Sequence, residues 1–189
     1  PVLIGPAARI RQAARDNDTD ISAWEVVDVP HSHAAAAKAV ELAARGAVDA
    51  LMKGALHSDE LLEAVVASQG GLRTERRISH AYVLDTPVYH KPLIITDAAI
   101  NIAPSLEEKA DICRNAIALW RCLFGHEAKP KVALLSAVET VTLRMPSTLD
   151  AACLCKMAER GQITDALLDG PLAFDNAISK QAAADKGIA

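Results

Sequence analysis

Short apolar runs alternate along the chain with longer segments whose apolar residues recur every three or four positions. That alternation predicts the elements. The runs at residues 2–4, 24–29, 48–52, 80–84, 93–95, 131–135 and 166–168 read as strands. The segments 7–15, 32–45, 58–67, 105–123 and 147–160, and the stretch from Phe174 onward, read as helices. Ser32, Ser58 and Ser147 stand where side-chain caps are expected, and Gly46 stands where the second helix should stop. The strands are continuous apolar runs, as strands buried on both faces are. The expected fold is α/β, with mostly parallel sheets covered by helices. The text changes at "SQGGLRTERR" (68–77), which is glycine-rich and basic. It suggests two lobes: part of a first α/β domain at 1–72 and a second α/β domain at 73–189.

Polar residues repeatedly follow these runs. Lys53 follows "DALM", Asp97 follows "PLII" and Thr96, Ser136 follows "VALL" with Glu139 just beyond, and Asp169 follows "ALL". Open α/β sheets bind ligands beyond the carboxyl ends of their strands, where such groups can converge. Chance placement in loops is the alternative for any one of them. Arg73, Arg76 and Arg77 lie within five positions and are followed by Ser79 and His80. Arginine offers permanently charged, forked donors and serine a hydroxyl, a mixture suited to phosphate. A solvated basic turn balanced by Glu75 is the plain alternative. His57, just before Ser58, could meet an anion at a helix N-terminus or simply be exposed.

Composition narrows the classes. The chain has 189 residues, 51% of them hydrophobic, with a formal net charge of -4 and no long Lys/Arg cluster. A nucleic-acid footprint is therefore not expected. No apolar stretch approaches the roughly 20 residues of a membrane span, and no secretory leader opens the chain. Cys113, Cys122, Cys153 and Cys155 show no zinc spacing and read as reduced, small hydrophobes in a cytoplasmic protein. His31 and His33 have no convincing partners for a metal, and no Walker loop, dinucleotide fingerprint or nucleophile elbow occurs. The chain opens at Pro1 within an apparent strand, so a fragment is expected.

At particular blocks the sequence resembles the phosphate acetyltransferase and phosphate butyryltransferase family. The blocks are "MKGALHSDELL" (52–62), "GLRTERRISHAYVLDTP" (71–87), "ITDAAINIAPSLEEKADI" (95–112), "KVALLSAVETV" (131–141), "MPSTLDAACLCKMAERGQI" (145–163) and "DGPLAFDNAIS" (169–179). They follow family order across nearly the whole chain. Their style is closer to the butyryltransferase-like branch, including the acyltransferase half of enoyl-CoA hydratase fusions. The resemblance implies two α/β domains around a deep cleft, similar to isocitrate and isopropylmalate dehydrogenases, in a homodimer. It implies reversible transfer of an acetyl or butyryl group between coenzyme A and phosphate, with acyl-CoA and phosphate as substrates. A carboxylate would help deprotonate the coenzyme A thiol, and no metal or prosthetic group is expected. By position, the resemblance places Lys53, His57, Ser58, Arg73, Arg77, Ser79, Asp97, Asn101, Ser136, Glu139, Asp169 and Asp175 in substrate-binding segments. The family's catalytic serine and aspartate would fall beyond Ala189. One departure stands out: where the acetyltransferase branch carries an arginine shortly after its His-Ser pair, this chain reads Leu61-Leu62-Glu63. Two other readings are open. One is a non-catalytic acetyl-CoA-sensing domain of a larger metabolic enzyme. The other, a dehydrogenase of the same fold, would need a cluster of metal-binding aspartates, which the sequence lacks.

Overall fold

The computed structural model describes residues 1–87 and 89–188. They form two compact units, Pro1–Glu75 and Arg76–Ala189, each an α/β assembly.

In the first unit, strand β1 (Val2–Gly5) pairs in parallel with β2 (Glu25–Asp28), and helix α1 (Ala7–Asp16) makes the crossover. The first amide of α1 is capped from a distance: Ala7 N donates to Asp28 Oδ1 (2.8 Å), because Pro6 at the N-cap has no side-chain acceptor. Helix α2 (Ser32–Ala44) buries Ala35, Ala36 and Val40 and packs on β1 and on α3 (Ser58–Val65). Its small alanines let the neighbouring backbones come close. The caps differ from expectation. His31 Nδ1, not Ser32, accepts from Ala34 N (3.2 Å), and His57 precedes α3 without a side-chain cap bond.

Residues 48–52 are not a strand. An apolar run is not enough, since a strand also needs a neighbour's backbone groups. Among the described residues none reaches this run, and Met52 is 99% exposed. Lys53 therefore follows a loop.

In the second unit, β3 (Ala81–Leu84) and β4 (Leu93–Thr96) pair antiparallel. Helix α4 (Leu106–Phe124) opens with a reciprocal cap: Glu108 N donates to Ser105 Oγ (3.3 Å) and Ser105 N to Glu108 Oε2 (2.8 Å). Strand β5 (Lys131–Leu135) pairs in parallel with β6 (Leu167–Leu172), with α5 (Pro146–Glu159) between them in sequence. Two short helices follow, α6 (Phe174–Ile178) and α7 (Lys180–Asp185). The core is a stripe of α4, Ala110, Cys113 and Ile117, meeting Leu154 of α5 and Ile163, with Val132, Leu134 and Leu168 packed against it from the sheet. Cys113 is buried, but Cys122 and Cys153 are exposed rather than small core residues; all four thiols are free. Ser147 was the expected cap of α5. Instead Pro146 takes the first helical turn after Met145, and the Ser147 hydroxyl turns to Ser136. No helix among the described residues is long and apolar enough to cross a membrane.

The last strand also runs further than expected. The expected strand is 166–168, with Asp169 just past its end, yet β6 continues to Leu172, so Asp169 lies mid-strand and exposed. The register explains this. Ala133 faces Asp169 and Leu135 faces Leu172, so Leu134 alone opposes Gly170 and Pro171. This is a β-bulge, and a bulge tolerates a proline that cannot donate to the ladder. It also requires the glycine. A Cβ on Gly170 would lie 2.7 Å from both Cβ and O of Leu134. Gly170→Ala should therefore lower stability by about 1–3 kcal/mol. The check is a lower urea midpoint at unchanged slope; an unchanged midpoint would contradict the bulge.

Candidate functional site

Residues 77–80 belong to no helix or strand, so their backbone groups need other partners. Side chains supply them. Arg77 N donates to Asp111 Oδ2 (2.9 Å), and Asn115 Nδ2 donates to Arg77 O (2.8 Å). Asn101 Nδ2 donates to Ile78 O (3.0 Å), His80 N to Asp97 Oδ1 (3.3 Å), and Thr96 Oγ1 to His80 O (2.7 Å). Asn115 Nδ2 also reaches Ser79 Oγ (3.0 Å).

Asp97 sits just past the end of β4 and takes more donors. Its Oδ1 accepts from Ala99 N (3.0 Å) and Ile100 N (3.1 Å), and its Oδ2 from Asn101 N (3.1 Å) and from Asn101 Nδ2. Burial pushes the Asp97 pKa up. The amides of Ala99, Ile100 and Asn101, with the Asn101 side chain, outweigh that and hold it at about 2. With Nδ2 committed to Asp97 and Ile78, Asn101 presents Oδ1 to Arg77 Nε (2.8 Å). Arg77 Nη1 lies 3.4 Å from Glu108 Oε1, and the arginine side chain remains 52% exposed. Its Nη2 makes no hydrogen bond among the described residues. The result is an arginine held at Nε and Nη1, with Nη2 left as an open donor. Beside it, a cavity of about 240 Å3 is lined by Ser79, Ile78, Ala81, Thr96, Asn115, Ala116 and Leu119.

A second network joins the ends of β5 and β6. Ser136 N donates to Leu172 O (2.8 Å), and its hydroxyl pairs with Ser147 Oγ (2.8 Å) and lies 3.3 Å from Met145 Sδ. Glu139 accepts from Asn176 Nδ2 and from Lys186 Nζ (2.8 Å), and the lysine bond is the chief reason its pKa is lowered. Asp175 accepts from Asn176 N (2.9 Å) and lies 3.7 Å from Lys186 Nζ. Thr148, fully buried, ties the loop to α5: its Oγ1 accepts from Thr142 N (3.0 Å) and lies 2.8 Å from Met145 O.

The strand-end residues thus fall into separate groups. Arg77, Ser79, Asp97 and Asn101 share one network, Ser136 belongs with Ser147 and Met145, and Glu139 and Asp175 belong with Asn176 and Lys186. Among the described residues, the Asp169 side chain accepts a hydrogen bond from the neighbouring Gly170 N alone (2.8 Å). No hydrogen bond or ion pair links the groups among the described residues. In the first unit, Lys53 Nζ donates to Leu56 O (3.2 Å), His57 is exposed ahead of α3, and Arg73 is exposed. A larger cavity there, about 730 Å3, is lined by Arg11, Arg15, Asp18, Asp20 and Trp24, among others. Its acids offset its arginines, and no expected site residue lines it. No group of three or more His, Cys, Asp or Glu residues is placed to hold a metal ion among the described residues.

Sequence reasoning missed Asp111, Asn115, Asn176 and Lys186. The first two carry a readable signal: with Glu108 they recur at helical spacing on α4, beside its apolar stripe. The last two carry none, because their partner Glu139 lies 37 and 47 residues away.

Comparison with known proteins adds to this geometry. A family model described as phosphate acetyl/butaryl transferase matches residues 31–189. The chain is 60% identical over 188 residues to a phosphate acetyltransferase of Rhizobium meliloti, covering 100% of this chain and 59% of that protein. It is 42% identical over 187 residues to a phosphate butyryltransferase of Clostridium acetobutylicum, covering 99% of this chain and 62% of that protein. The chain therefore spans about three fifths of the length of these relatives. Its fold is similar to a branched-chain phosphotransacylase from Enterococcus faecalis V583, with a TM-score of 0.78 and 27% identity, covering 100% of this chain and 74% of that one.

Asp97 makes the site's stability depend on pH. A carboxyl held at about 2 when folded and 3.8 otherwise stabilises the fold fully above pH 4. That contribution is lost as pH falls from about 4 to about 2. Asp97→Asn should cost about 1–3 kcal/mol near neutral pH, since it leaves amides facing a poorer acceptor. It should also flatten the stability profile in that acid window. Urea midpoints between pH 2 and 7 check both, and parallel profiles for the two proteins would contradict the assignment.

Proposed function

This chain belongs to the phosphate acetyl/butyryl transferase family, and from that premise we propose that the complete protein moves a short acyl group reversibly between coenzyme A and inorganic phosphate. In one direction a phosphate oxygen attacks the thioester carbonyl carbon. The C–O bond forms, the C–S bond breaks, and the departing thiolate of coenzyme A takes up a proton. In the other direction the thiolate attacks the acyl phosphate and releases phosphate.

Both reactants are anions, so fixed positive charge governs their approach. The observation that carries the reading is Arg77. Its Nε is spent on Asn101, while Nη2 is left for an outside acceptor. With Nε on Asn101 and Nη1 3.4 Å from Glu108, the guanidinium is held in place, and Nη2 is the donor left to a phosphate oxygen. Arg73, exposed in the same sequence block, Lys53 and His57 are further anion ligands in this reading, with Ser79, Ser136 and Asp169 as polar contacts. Asp97 is not the base. A general base works best with a pKa near the operating pH, and Asp97 is held near 2 with both oxygens occupied. It orders the site, as Glu139 and Asp175 order the group with Asn176 and Lys186.

Acetyl is the favoured acyl group, since identity is higher with the protein named phosphate acetyltransferase (60%) than with the one named phosphate butyryltransferase (42%). Each methylene in an apolar pocket changes discrimination by only about 1–3 kcal/mol, so propionyl and butyryl are the comparison substrates. The same reading gives a cytoplasmic homodimer, with the two-domain architecture of isocitrate and isopropylmalate dehydrogenases. The α/β make-up of both units and the similarity to a phosphotransacylase support the architecture alone.

Thiol release from acetyl-, propionyl- and butyryl-CoA with phosphate tests the activity in the complete protein. Arg77→Ala should lower kcat/KM about 10–100-fold, the loss of one charge-assisted contact worth about 1.5–3 kcal/mol. Arg77→Lys should recover only part, because it lacks the fork. Wild-type kinetics in Arg77→Ala would remove the arginine from the site.

A further inference from the structure

One face of α4 holds Arg77 by its backbone as well as by its charge. Asp111 takes its N–H, Asn115 holds its carbonyl, and Glu108 lies 3.4 Å from its Nη1. These three residues are spaced three and four apart, so they line one side of the helix. Each is anchored in turn. Asp111 Oδ1 accepts from Arg114 Nη1 (2.8 Å), and Arg114 Nη2 donates to Gln162 O (3.0 Å). Glu108 closes the cap of the helix with Ser105. Asn115 lies next to Ala116 and Ile117, where the helix is packed on the core.

The loop being held has no ladder of its own, so without the helix face Arg77 would sample many positions. Asn115 is the decisive member. Its single Nδ2 group reaches both Arg77 O (2.8 Å) and Ser79 Oγ (3.0 Å), and so fixes the arginine and the serine in one register. We propose that Asn115, with Asp111, is a positioning residue of the acyl-transfer site: it touches no substrate and acts on phosphate binding through Arg77 and Ser79. This rests on the reading of Arg77 as a phosphate ligand given above.

A double-mutant cycle in the complete protein tests it, with KM for phosphate and for acetyl-CoA and kcat measured for each variant. Asn115→Ala should raise the phosphate KM about tenfold, which corresponds to about 1.4 kcal/mol, and leave the acetyl-CoA KM unchanged. In an Arg77→Ala background the same change should move the phosphate KM less than about twofold, because the residue it positions is gone. An equal effect in both backgrounds, or no effect in the first, overturns the proposal. An Arg77→Ala variant with wild-type phosphate KM overturns instead the reading it rests on. Should Asn115→Ala fail to fold, Asn115→Asp, which keeps the shape and loses the donor, takes its place in the same cycle.

Discussion

The carboxylate of Asp97 draws the N–H groups of His80, Ala99, Ile100 and Asn101 onto its two oxygens. A buried or half-buried carboxylate must be satisfied in this way or give up its charge. The consequence reaches beyond the aspartate. Satisfying Asp97 fixes which way the Asn101 amide points, and that fixes an acceptor beside the Nε of Arg77. The tip of β4 and the loop ahead of β3 are thereby locked to each other by side chains, where a sheet would have used its backbone. An ionised acid can in this way determine, through an asparagine, where a nearby cation sits.

Helix α4 serves two layers at once. Its apolar stripe carries the core of the second unit, and the polar stripe beside it carries the loop with Arg77. Rigid packing on one side is what makes the grip on the other side accurate. The network around Glu139 follows the same logic further along the chain, with a carboxylate taken up by an asparagine and a lysine. There one lysine lies between two carboxylates, Glu139 and Asp175, whereas Arg77 meets a single carboxylate, Glu108, through Nη1 and keeps Nη2 open.

Most of the element order was legible because the strands are short apolar runs and the helices show their period, although the strands are mostly half-buried or exposed rather than covered on both faces. The run at 48–52 misled for a physical reason: a strand needs a neighbour's backbone, which an apolar run does not name, and here the run is largely exposed. Asp169 was misplaced for another reason. Glycine-proline usually ends a strand, and only the register with β5 shows that a bulge absorbs it. In the site, Arg77, Asp97 and Asn101 were legible from the blocks that resemble the family. Their partners on α4 show only as a polar stripe: Glu108, Asp111 and Asn115 recur at helical spacing, but solvent-facing positions of an amphipathic helix show the same pattern. Nothing in the local text separates a polar residue that faces water from one that holds a distant loop.

The account depends on the free edge of Arg77 meeting phosphate. A crystal structure of the complete protein with inorganic phosphate and coenzyme A tests this most directly. The account requires a phosphate oxygen within hydrogen-bond distance of Arg77 Nη2, with Asn101 still on Nε. Phosphate bound elsewhere, with Arg77 Nη2 turned to solvent or to another carboxylate, would contradict it.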